Sequence, residues 1–242
     1  MASWQEQGRP GTHWVNMSRG RQIARLKLRP LNAEAEKLLL DWDPGELYSH
    51  PERFPHLTSV ELFGNQNSLE VEIGPGSGEY LCYLAGNQPD TNYLGIEVSR
   101  RSAAACAALA AENGLSNLRV LRTDYKLLRL LLPGEGWAKV YLHFPDPPHK
   151  TADEKKRIFN QTFLDQMAIT LVPKGLISVA SDKPEFLVRM LELAEKDPRF
   201  RVTHSERYLE GLESAVKSRF QLFWERKGVR PLRFTLQRSP VI

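Results

Sequence analysis

The segment that most constrains the fold of this chain covers residues 69–98, with the sequence LEVEIGPGSGEYLCYLAGNQPDTNYLGIEV. A β-branched, apolar run ends in a glycine-rich turn at 74–78, an amphipathic segment follows, and a second apolar run closes on Glu97. Strand, glycine turn, helix, strand and acid in this order predict the first βαβ unit of a doubly wound α/β sheet. The glycines let a ligand approach the backbone closely, and the strand-ending carboxylate lies where a ribose would present its hydroxyls.

The residues around this turn indicate which ligand it accepts. The dinucleotide fingerprint G-x-G-x-x-G would need a third glycine where Glu79 stands. Glu72, inside the first strand, would repel a pyrophosphate but would suit a cationic ammonium or sulfonium group. The form E-x-G-x-G-x-G resembles S-adenosylmethionine (SAM) sites, and a tight strand–helix turn without a ligand is the alternative. The residues predicted to hold this cofactor are Glu72, Gly74, Gly76, Gly78 and Glu97.

The composition is that of one globular domain without a membrane segment. The 242 residues are 41% hydrophobic and 26% charged, which suits one large α/β domain with extensions. No apolar run approaches the roughly 18 residues that span a bilayer, and the N-terminus lacks the apolar core of a secretory signal. We therefore expect a cytoplasmic protein with no membrane partner. Cys82 and Cys106 fall in predicted helices as reduced, packed side chains, and no spacing indicates a zinc site, so we expect no metal.

Positive charge is concentrated near the start of the chain. Residues 1–30 carry a net charge of +5, whereas the whole chain carries +4. A basic arm on a nearly neutral body favours a polyanionic partner such as RNA, and a solubilising tail is the equally weighted alternative. We predict two regions, a basic arm with a lead-in over residues 1–58 and the cofactor-binding domain over residues 59–242.

Hydrophobic periodicity and turn residues predict the remaining elements of a seven-stranded, mostly parallel sheet. Strands are predicted over residues 69–73, 93–96, 118–122, 137–144, 175–180, 200–203 and 232–236. Besides the segment after the glycine turn, helices are predicted over residues 32–41, 101–112, 126–132, 155–171, 184–197 and 218–227. Residues 44–58, rich in proline and histidine, are predicted to form a loop.

Two further acids follow predicted strands. Asp124 comes just after the third strand, where its carboxylate can accept from an adenine amino group or cap the next helix. Asp146 follows the fourth strand among three prolines, which fix the backbone and remove N–H donors. Ligands of open α/β sheets bind at the carboxyl ends of strands near the switch in strand order. We therefore predict that Asp146 lies beside the glycine turn, with a proline-rich loop and an incidental acid as the alternative.

Five separated motifs occur in one order along the chain: LFGN at 62–65, EIGPGSG at 72–78, GIEV at 95–98, FPDP at 144–147 and SD at 181–182. Together they resemble the bacterial tRNA (guanine-N7-)-methyltransferases, which modify the variable-loop guanine, over roughly residues 60–238. FPDP with a lysine shortly after it is the most specific motif, whereas the glycine motif alone fits any SAM enzyme. The resemblance implies a Rossmann-like, class I methyltransferase domain with SAM as methyl donor and tRNA as partner. It leaves open whether the protein is a monomer or a homodimer.

The resemblance also implies roles for individual residues. It implies cofactor contacts at Glu72, Glu97 and Asp124, and it places Asp146, the predicted catalytic residue, at the junction of cofactor and guanine. Contacts to the tRNA or its guanine are implied for Lys150, Asp182, Ser218, Arg219, Phe220 and Gln221.

The chain departs from the family pattern at several positions. The family usually has Trp where Pro148 stands and basic residues where Ala152 and Asp153 stand. It has Thr and Glu where this chain has Ser218 and Gln221. Serine retains the hydroxyl, and the glutamine retains an acceptor but loses the charge, so these departures bear on guanine contact and catalytic efficiency.

Guanine N7 carries a lone pair and no proton, so its methylation needs no general base. The site must hold N7 in line with the sulfonium methyl group, at about 3–3.5 Å. We therefore expect Asp146 to position either the guanine or the charged end of the cofactor. Carboxylates near the base would also stabilise the cationic product.

Two other functions fit part of the pattern. The DPPH sequence at 146–149 resembles the D/N-P-P-aromatic turn of methyltransferases that act on exocyclic amino groups, although His149 replaces the usual Tyr or Phe. A SAM-fold protein that binds RNA without modifying it is the second alternative, disfavoured because four candidate acids are retained together. A nicotinamide-dependent dehydrogenase is disfavoured by Glu72 and by the missing third glycine.

Overall fold

The computed structural model describes residues 30–145, 157–211, 221–222, 225–226 and 228–240. Its helices are α1 (Ala33–Leu38), α2 (Pro44–Ser49), α3 (Ser59–Phe63), α4 (Glu79–Asn87), α5 (Arg100–Glu112), α6 (Gln161–Thr170) and α7 (Pro184–Glu195). Short 3₁₀ helices cover Pro51–Arg53 and Tyr125–Leu128. The strands are β1 (Leu39–Asp41), β2 (Ser68–Ile73), β3 (Thr91–Glu97), β4 (Leu118–Arg122), β5 (Trp137–His143), β6 (Leu171–Ser181), β7 (Phe200–Val202), β8 (Leu209–Glu210) and β9 (Leu232–Arg238).

The described strands form one sheet in the order β1-β4-β3-β2-β5-β6-β9-β7, with β8 paired to β9. Neighbours from β1 to β6 are parallel, and β9 is antiparallel to β6, β7 and β8. The order of strands reverses at β2, because β3 and β4 lie on one side of it and β5 and β6 on the other. In a parallel sheet this switch point is where the strand ends leave room for a ligand.

Buried apolar side chains cover both faces of the sheet. On one face, side chains of the central strands pack with residues of α6 and α7, including Phe163 and Leu187. On the other face, α4 and α5 pack over β3 and β4 through smaller residues such as Cys82, Cys106 and Ala107. Both cysteines are free and buried. The predicted Rossmann-like fold is confirmed by this arrangement.

The described residues differ from the predicted elements in the number of strands and in some boundaries. The sheet has nine strands rather than seven, because β1 extends one edge of the sheet and the short β8 pairs with β9. The prediction of a helix over 32–41 was wrong for Leu39–Asp41, since these residues pair with β4 instead. Strand β6 also begins four residues before the predicted 175, at Leu171.

Local capping explains the misplaced helices. Residues 44–58 were predicted as a loop, but the side chain of Asp43 accepts from the N–H of Glu46 and starts α2. The helix predicted over 155–171 begins only at Gln161, because Asn160 caps it by accepting from the N–H of Phe163 at 2.9 Å. The helix predicted over 126–132 is reduced to a 3₁₀ turn that ends at Leu128.

Residues before the predicted domain boundary at 58/59 contact the sheet. Strand β1 extends the sheet beyond β4, and both Leu47 and Leu57 belong to the buried core. The boundary itself stays a prediction. None of the helices in the described residues is long and apolar enough to cross a membrane.

Candidate active site

The carboxyl ends of five neighbouring parallel strands bring the predicted cofactor residues to one edge of the sheet. Asp124 follows β4, Glu97 ends β3, the 74–78 turn follows β2, and Asp182 follows β6. Between the last two, β5 ends at His143 and leads into Phe144 and Pro145. These residues are far apart in sequence, and the parallel pairing alone places them along one rim.

The glycine turn is a fixed loop between β2 and α4. The N–H of Gly74 donates to the carbonyl of Ile96 at 2.8 Å, and the N–H of Gly78 donates to the carbonyl of Pro75 at 3.0 Å. Gly74 and Gly76 have φ of +79° and +61°, and a β-carbon on either would meet nothing within 4 Å. The turn therefore presents open space on the outside of these two glycines, where a ligand can contact backbone directly.

Glu97 connects the end of β3 to this turn. Its Oε2 accepts from the N–H of Gly76 at 3.0 Å, and its Oε1 accepts from the N–H of Ser99 at 2.8 Å. The side chain is only 7% exposed. Because each carboxylate oxygen can accept more than one hydrogen bond, Glu97 can hold the turn and still accept from ligand hydroxyls.

Glu72 is a buried acid on β2, two residues before Gly74. It is 4% exposed, and its Oε2 is buried without a hydrogen-bond partner. Burial raises the pKa of Glu72 to about 8, with further contributions from the negative charges of Glu79 and Glu97. A carboxyl held in this state gains most from a ligand that carries positive charge.

Asp124 lies at the neighbouring strand end and is exposed. Its Oδ1 accepts from the N–H of Lys126 at 3.0 Å, so the predicted cap of the following turn is present. Next to it, Thr123 is 3% exposed, donates its N–H to the carbonyl of Glu97 at 3.2 Å and has a buried hydroxyl without a partner. Val98, directly after Glu97, is 68% exposed.

Three features of this rim have no separate signal in the sequence. The exposed Val98, the unpartnered hydroxyl of Thr123 and the left-handed backbone of Phe144, with φ of +53°, were not predicted. Val98 could have been singled out by a sequence pattern, an apolar residue directly after a strand-ending acid. An exposed apolar side chain beside polar groups can pack against the flat ring of a ligand.

Only some of the other predicted site residues lie in the described part of the chain. Asp146 and Lys150 lie outside the described residues, as do Ser218, Arg219 and Phe220. Asp182 is described and is 4% exposed at the end of β6. Gln221 is 2% exposed, and its Nε2 donates to Oε1 of Glu225 at 2.9 Å.

The LFGN motif lies at the opposite edge of the sheet from the glycine turn. Asn65 follows α3, and its Oδ1 accepts from Nδ2 of Asn92, near the start of β3, at 2.6 Å. Asn92 is wholly buried and also donates to Oγ of Ser59 at 2.9 Å. This network connects α3 to β3 near the amino ends of the strands.

Among the described residues, no group of three or more His, Cys, Asp or Glu side chains is arranged to hold a metal ion.

Comparison with known proteins places this chain in a family. Residues 66–230 match a family model described as "Putative methyltransferase". A tRNA (guanine-N(7)-)-methyltransferase of Rubrobacter xylanophilus is 41% identical over 90% of this chain and 98% of its own length. The chain belongs to this methyltransferase family. A second relative of the same name, from Chloroherpeton thalassium, is 36% identical over 92% of this chain and 99% of its own length.

Solved structures agree with the fold of this methyltransferase. An antibiotic-related methyltransferase is 16% identical, covers 77% of this chain and 96% of its own, and superposes with a TM-score of 0.53. At this identity the likeness concerns the fold alone. The family assignment makes the chain a SAM-dependent methyltransferase, as the residues at the glycine turn predicted.

Proposed function

We propose that this methyltransferase transfers the methyl group of SAM to N7 of a variable-loop guanine in tRNA. The observation that carries the proposal is the 41% identity, over 90% of the chain, with a tRNA (guanine-N(7)-)-methyltransferase. We also propose that it acts in the cytoplasm, where tRNA is modified, as a monomer or a homodimer.

The residues of the rim fit the chemistry of SAM. The Oε2 atom of Glu72 is buried without a hydrogen-bond partner. The ammonium and sulfonium groups of the cofactor would supply the positive charge that stabilises the ionised carboxylate. Glu97, fixed by Gly76, would accept from the ribose hydroxyls. Asp124 would accept from the adenine amino group, and the exposed Val98, which follows Glu97, would pack against the adenine ring.

The protein's part in the reaction is positioning and electrostatic stabilisation. The bound cofactor supplies an electrophilic methyl group on a sulfonium sulfur. Because guanine N7 has no proton to lose, none of the residues needs to act as a general base. The chain's residues would hold N7 in line with the methyl group and exclude water from the rim. Carboxylates near the base would stabilise the positive charge that the guanine gains.

Residues that follow β5 and β6 are proposed to bind the guanine and its tRNA. Asp146 would orient the base, and Asp182, at the next strand end, would accept from guanine N–H groups. Contacts to the tRNA are proposed for Lys150, Ser218, Arg219, Phe220 and Gln221. The side-chain amide of Gln221 donates through its nitrogen to the carboxylate of Glu225, which can only accept. The amide oxygen of Gln221 therefore points away from this carboxylate.

The decisive experiment identifies the modified nucleoside. Undermodified tRNA is incubated with the protein and SAM, digested to nucleosides and analysed by mass spectrometry. We expect 7-methylguanosine. Formation of N2-methylguanosine or N6-methyladenosine would instead support the exocyclic-amine alternative, and SAM binding without any methylation would support an RNA-binding protein.

The role of Asp146 is tested in the same assay. We expect Asp146→Ala to lower turnover at saturating SAM and tRNA by about 100-fold, because misplacing the base by 1 Å can cost that much. Glu112→Ala, at the end of α5, removes an exposed acid away from the rim and serves as the matched control. Turnover of Asp146→Ala close to that of the unchanged protein would remove Asp146 from the site.

A further inference from the structure

Basic side chains gather where β3 and β4 end. Arg100 and Arg101 are the first two residues of α5, which follows β3. Lys126 lies in the 3₁₀ turn that follows β4, and Arg129 comes directly after this turn. All of these side chains are exposed. We call Arg100, Arg101, Lys126 and Arg129 the basic patch.

The pairing of β3 with β4 brings the two halves of the basic patch to the same rim. The two strands are parallel, and Glu97 at the end of β3 lies opposite Arg122 at the end of β4. One residue further along, the N–H of Thr123 donates to the carbonyl of Glu97 at 3.2 Å. The segments that carry the patch therefore start side by side.

From this common start the two segments pass to opposite faces of the sheet. Helix α5 packs over one face through residues such as Cys106 and Ala107. The 3₁₀ turn buries Tyr125 and Leu128 in the core of the other face, where the Tyr125 hydroxyl donates to Oε1 of Gln166 at 2.9 Å. The basic patch therefore flanks the proposed adenine end of the cofactor site from both sides.

The positive charge of the patch is not balanced locally. Within the described part of the chain, neither Arg100 nor Arg129 forms an ion pair, whereas the nearby Arg122 pairs with Asp41. Residues 98–101 and 122–130 contain Asp124 as their only acid. Like charges gathered at one rim repel one another, so this part of the surface gains from a polyanionic partner.

The side chains of the patch suit phosphate groups better than bases. Tyr125 is the only aromatic residue of the same two segments, and it is 4% exposed, so it offers no ring on which a base could stack. Exposed arginine and lysine side chains donate to phosphate oxygens whatever the sequence of the nucleic acid.

We infer that the basic patch binds the sugar–phosphate backbone of the tRNA, at the adenine end of the cofactor site. The guanine is proposed to bind near Asp182, after β6, and four strand spacings of about 4.8 Å, roughly 19 Å in all, separate β4 from β6. A folded RNA can contact both places at once, whereas a single nucleoside cannot. The inference rests on the proposed function, because it takes tRNA as the substrate.

The experiment measures how tRNA binding depends on salt. The dissociation constant of tRNA is determined at several salt concentrations between about 50 and 200 mM, and each phosphate contact contributes about 0.7–0.9 to the slope of log affinity against log salt concentration. We expect Arg100→Gln/Arg129→Gln to lower this slope by about 1.5 and to weaken binding at the lowest salt by about 10-fold.

The matched control removes two exposed positive charges from the opposite edge of the sheet. Lys174 lies in the first half of β6, and Lys196 directly follows the last residue of α7. Lys174→Gln/Lys196→Gln changes the net charge by the same amount as the patch variant. We expect it to retain the salt slope and to bind tRNA within about 2-fold of the unchanged protein.

Three further measurements separate backbone contacts from other roles. The patch variant should raise KM for tRNA by about 10-fold and leave kcat within about 2-fold, because the contact is equally strong in the ground and transition states. Its affinity for S-adenosylhomocysteine should stay within about 2-fold. The loss of tRNA affinity should be the same for a transcript with adenine in place of the target guanine, because phosphate contacts do not read bases.

An unchanged salt slope in the patch variant of a protein that methylates tRNA would overturn the inference. A loss of affinity for S-adenosylhomocysteine that accounts for the whole effect would also overturn it, because the arginines would then serve the cofactor. An unchanged protein that methylates no tRNA would instead overturn the proposed function. If the double variant failed to fold, Arg100→Gln and Arg129→Gln would decide singly, each with an expected decrease in slope of about 0.7–0.9.

Discussion

The sulfur of Cys106 occupies the space that a side chain on Gly78 would need. A β-carbon built on Gly78 would lie 2.2 Å from that sulfur and 2.9 Å from Cβ of the same cysteine. Gly78 ends the glycine turn, and Cys106 lies in the middle of α5, so the two helices behind the turn pack through this contact. The glycine is thus required by packing as well as by its φ of +84°.

We predict that Gly78→Ala costs more stability than Gly76→Ala. The first adds an overlap in a packed core, worth about 1–3 kcal/mol, to the strain of a left-handed backbone, and the second adds only the strain. Adding Cys106→Ala to Gly78→Ala should recover part of the loss, since Cβ of residue 106 remains. Urea unfolding measures all four proteins, and equal costs for the two glycine variants would contradict the packing argument.

Binding of SAM should release close to one proton at pH 7. Glu72, whose pKa burial raises to about 8, is mostly protonated at this pH and would ionise to meet the positive charge. The affinity for SAM should therefore rise up to about tenfold per pH unit between pH 6 and 8 and level off above. Calorimetry in buffers of different ionisation enthalpy measures the released proton, and a pH-independent affinity would contradict this role.

The same burial predicts that Glu72→Gln stabilises the ligand-free protein at pH 8. The unfolded chain ionises Glu72 from about pH 4.5, whereas the folded chain does so only near 8, so this group lowers stability as the pH rises between these values. Removing the charge should raise the free energy of unfolding at pH 8 by up to about 4 kcal/mol. The variant should at the same time lose SAM affinity, and a loss of stability would be the contrary result.

Variants at Asp124 separate its two predicted roles. Asp124→Ser retains a side chain that can cap the turn at Lys126, but it is too short and neutral to serve the ligand. We expect Asp124→Ser to keep its stability within about 0.5 kcal/mol and to lose about tenfold in SAM affinity. Asp124→Ala should lose the same affinity and a further ~1 kcal/mol of stability. An unchanged SAM affinity in both variants would mean that Asp124 only caps the following turn.

Arg199 should stabilise the fold without affecting catalysis. It donates to Asp197, which is 5% exposed, at 2.8 Å and 2.6 Å, and to the exposed Asp165 at 2.6 Å. Arg199→Ala should cost about 2–3 kcal/mol, because it leaves a buried carboxylate without its charged donor. Asp165→Ala is the control, expected to cost less than ~1 kcal/mol because Asp165 is exposed.

This contribution should depend on pH in a defined direction. Hydrogen bonds from Arg199 lower the pKa of Asp197 to about 2, from an ordinary value of 3.8. The stabilisation is therefore fully present above about pH 4 and is lost as the pH falls towards 2. Unfolding of the unchanged protein and Arg199→Ala at pH 7 and pH 3 should give a difference that shrinks at the lower pH.

Local sequence predicted the centre of the sheet well and its margins poorly. Strand β4 has the predicted limits, because its apolar run ends in turn residues on both sides. Residues 39–41 were assigned to a helix on composition, since nothing local reveals that β4 has a free edge there for them to join. Pairing between distant segments outweighs a weak local preference.

In the candidate site, too, some features could be predicted from the sequence and others could not. Glu72 and Glu97 could be predicted because each has a fixed place relative to a strand end and a glycine motif. The contacts among the rings of Tyr80, Tyr141 and His143 could not, since these residues meet only through strand register and helix packing. Nothing in the residues next to His143 along the sequence indicates which rings surround its imidazole.

The hydrogen-bonded network of Ser59, Asn65 and Asn92 has a consequence for how relatives are recognised. These residues connect α3 to β3 at the end of the strands opposite the glycine turn. A descendant that had lost methylation would still need them to fold, so a search keyed on LFGN would collect inactive paralogues together with working enzymes. Diagnosis of activity in such paralogues should therefore rely on the acids of the opposite rim.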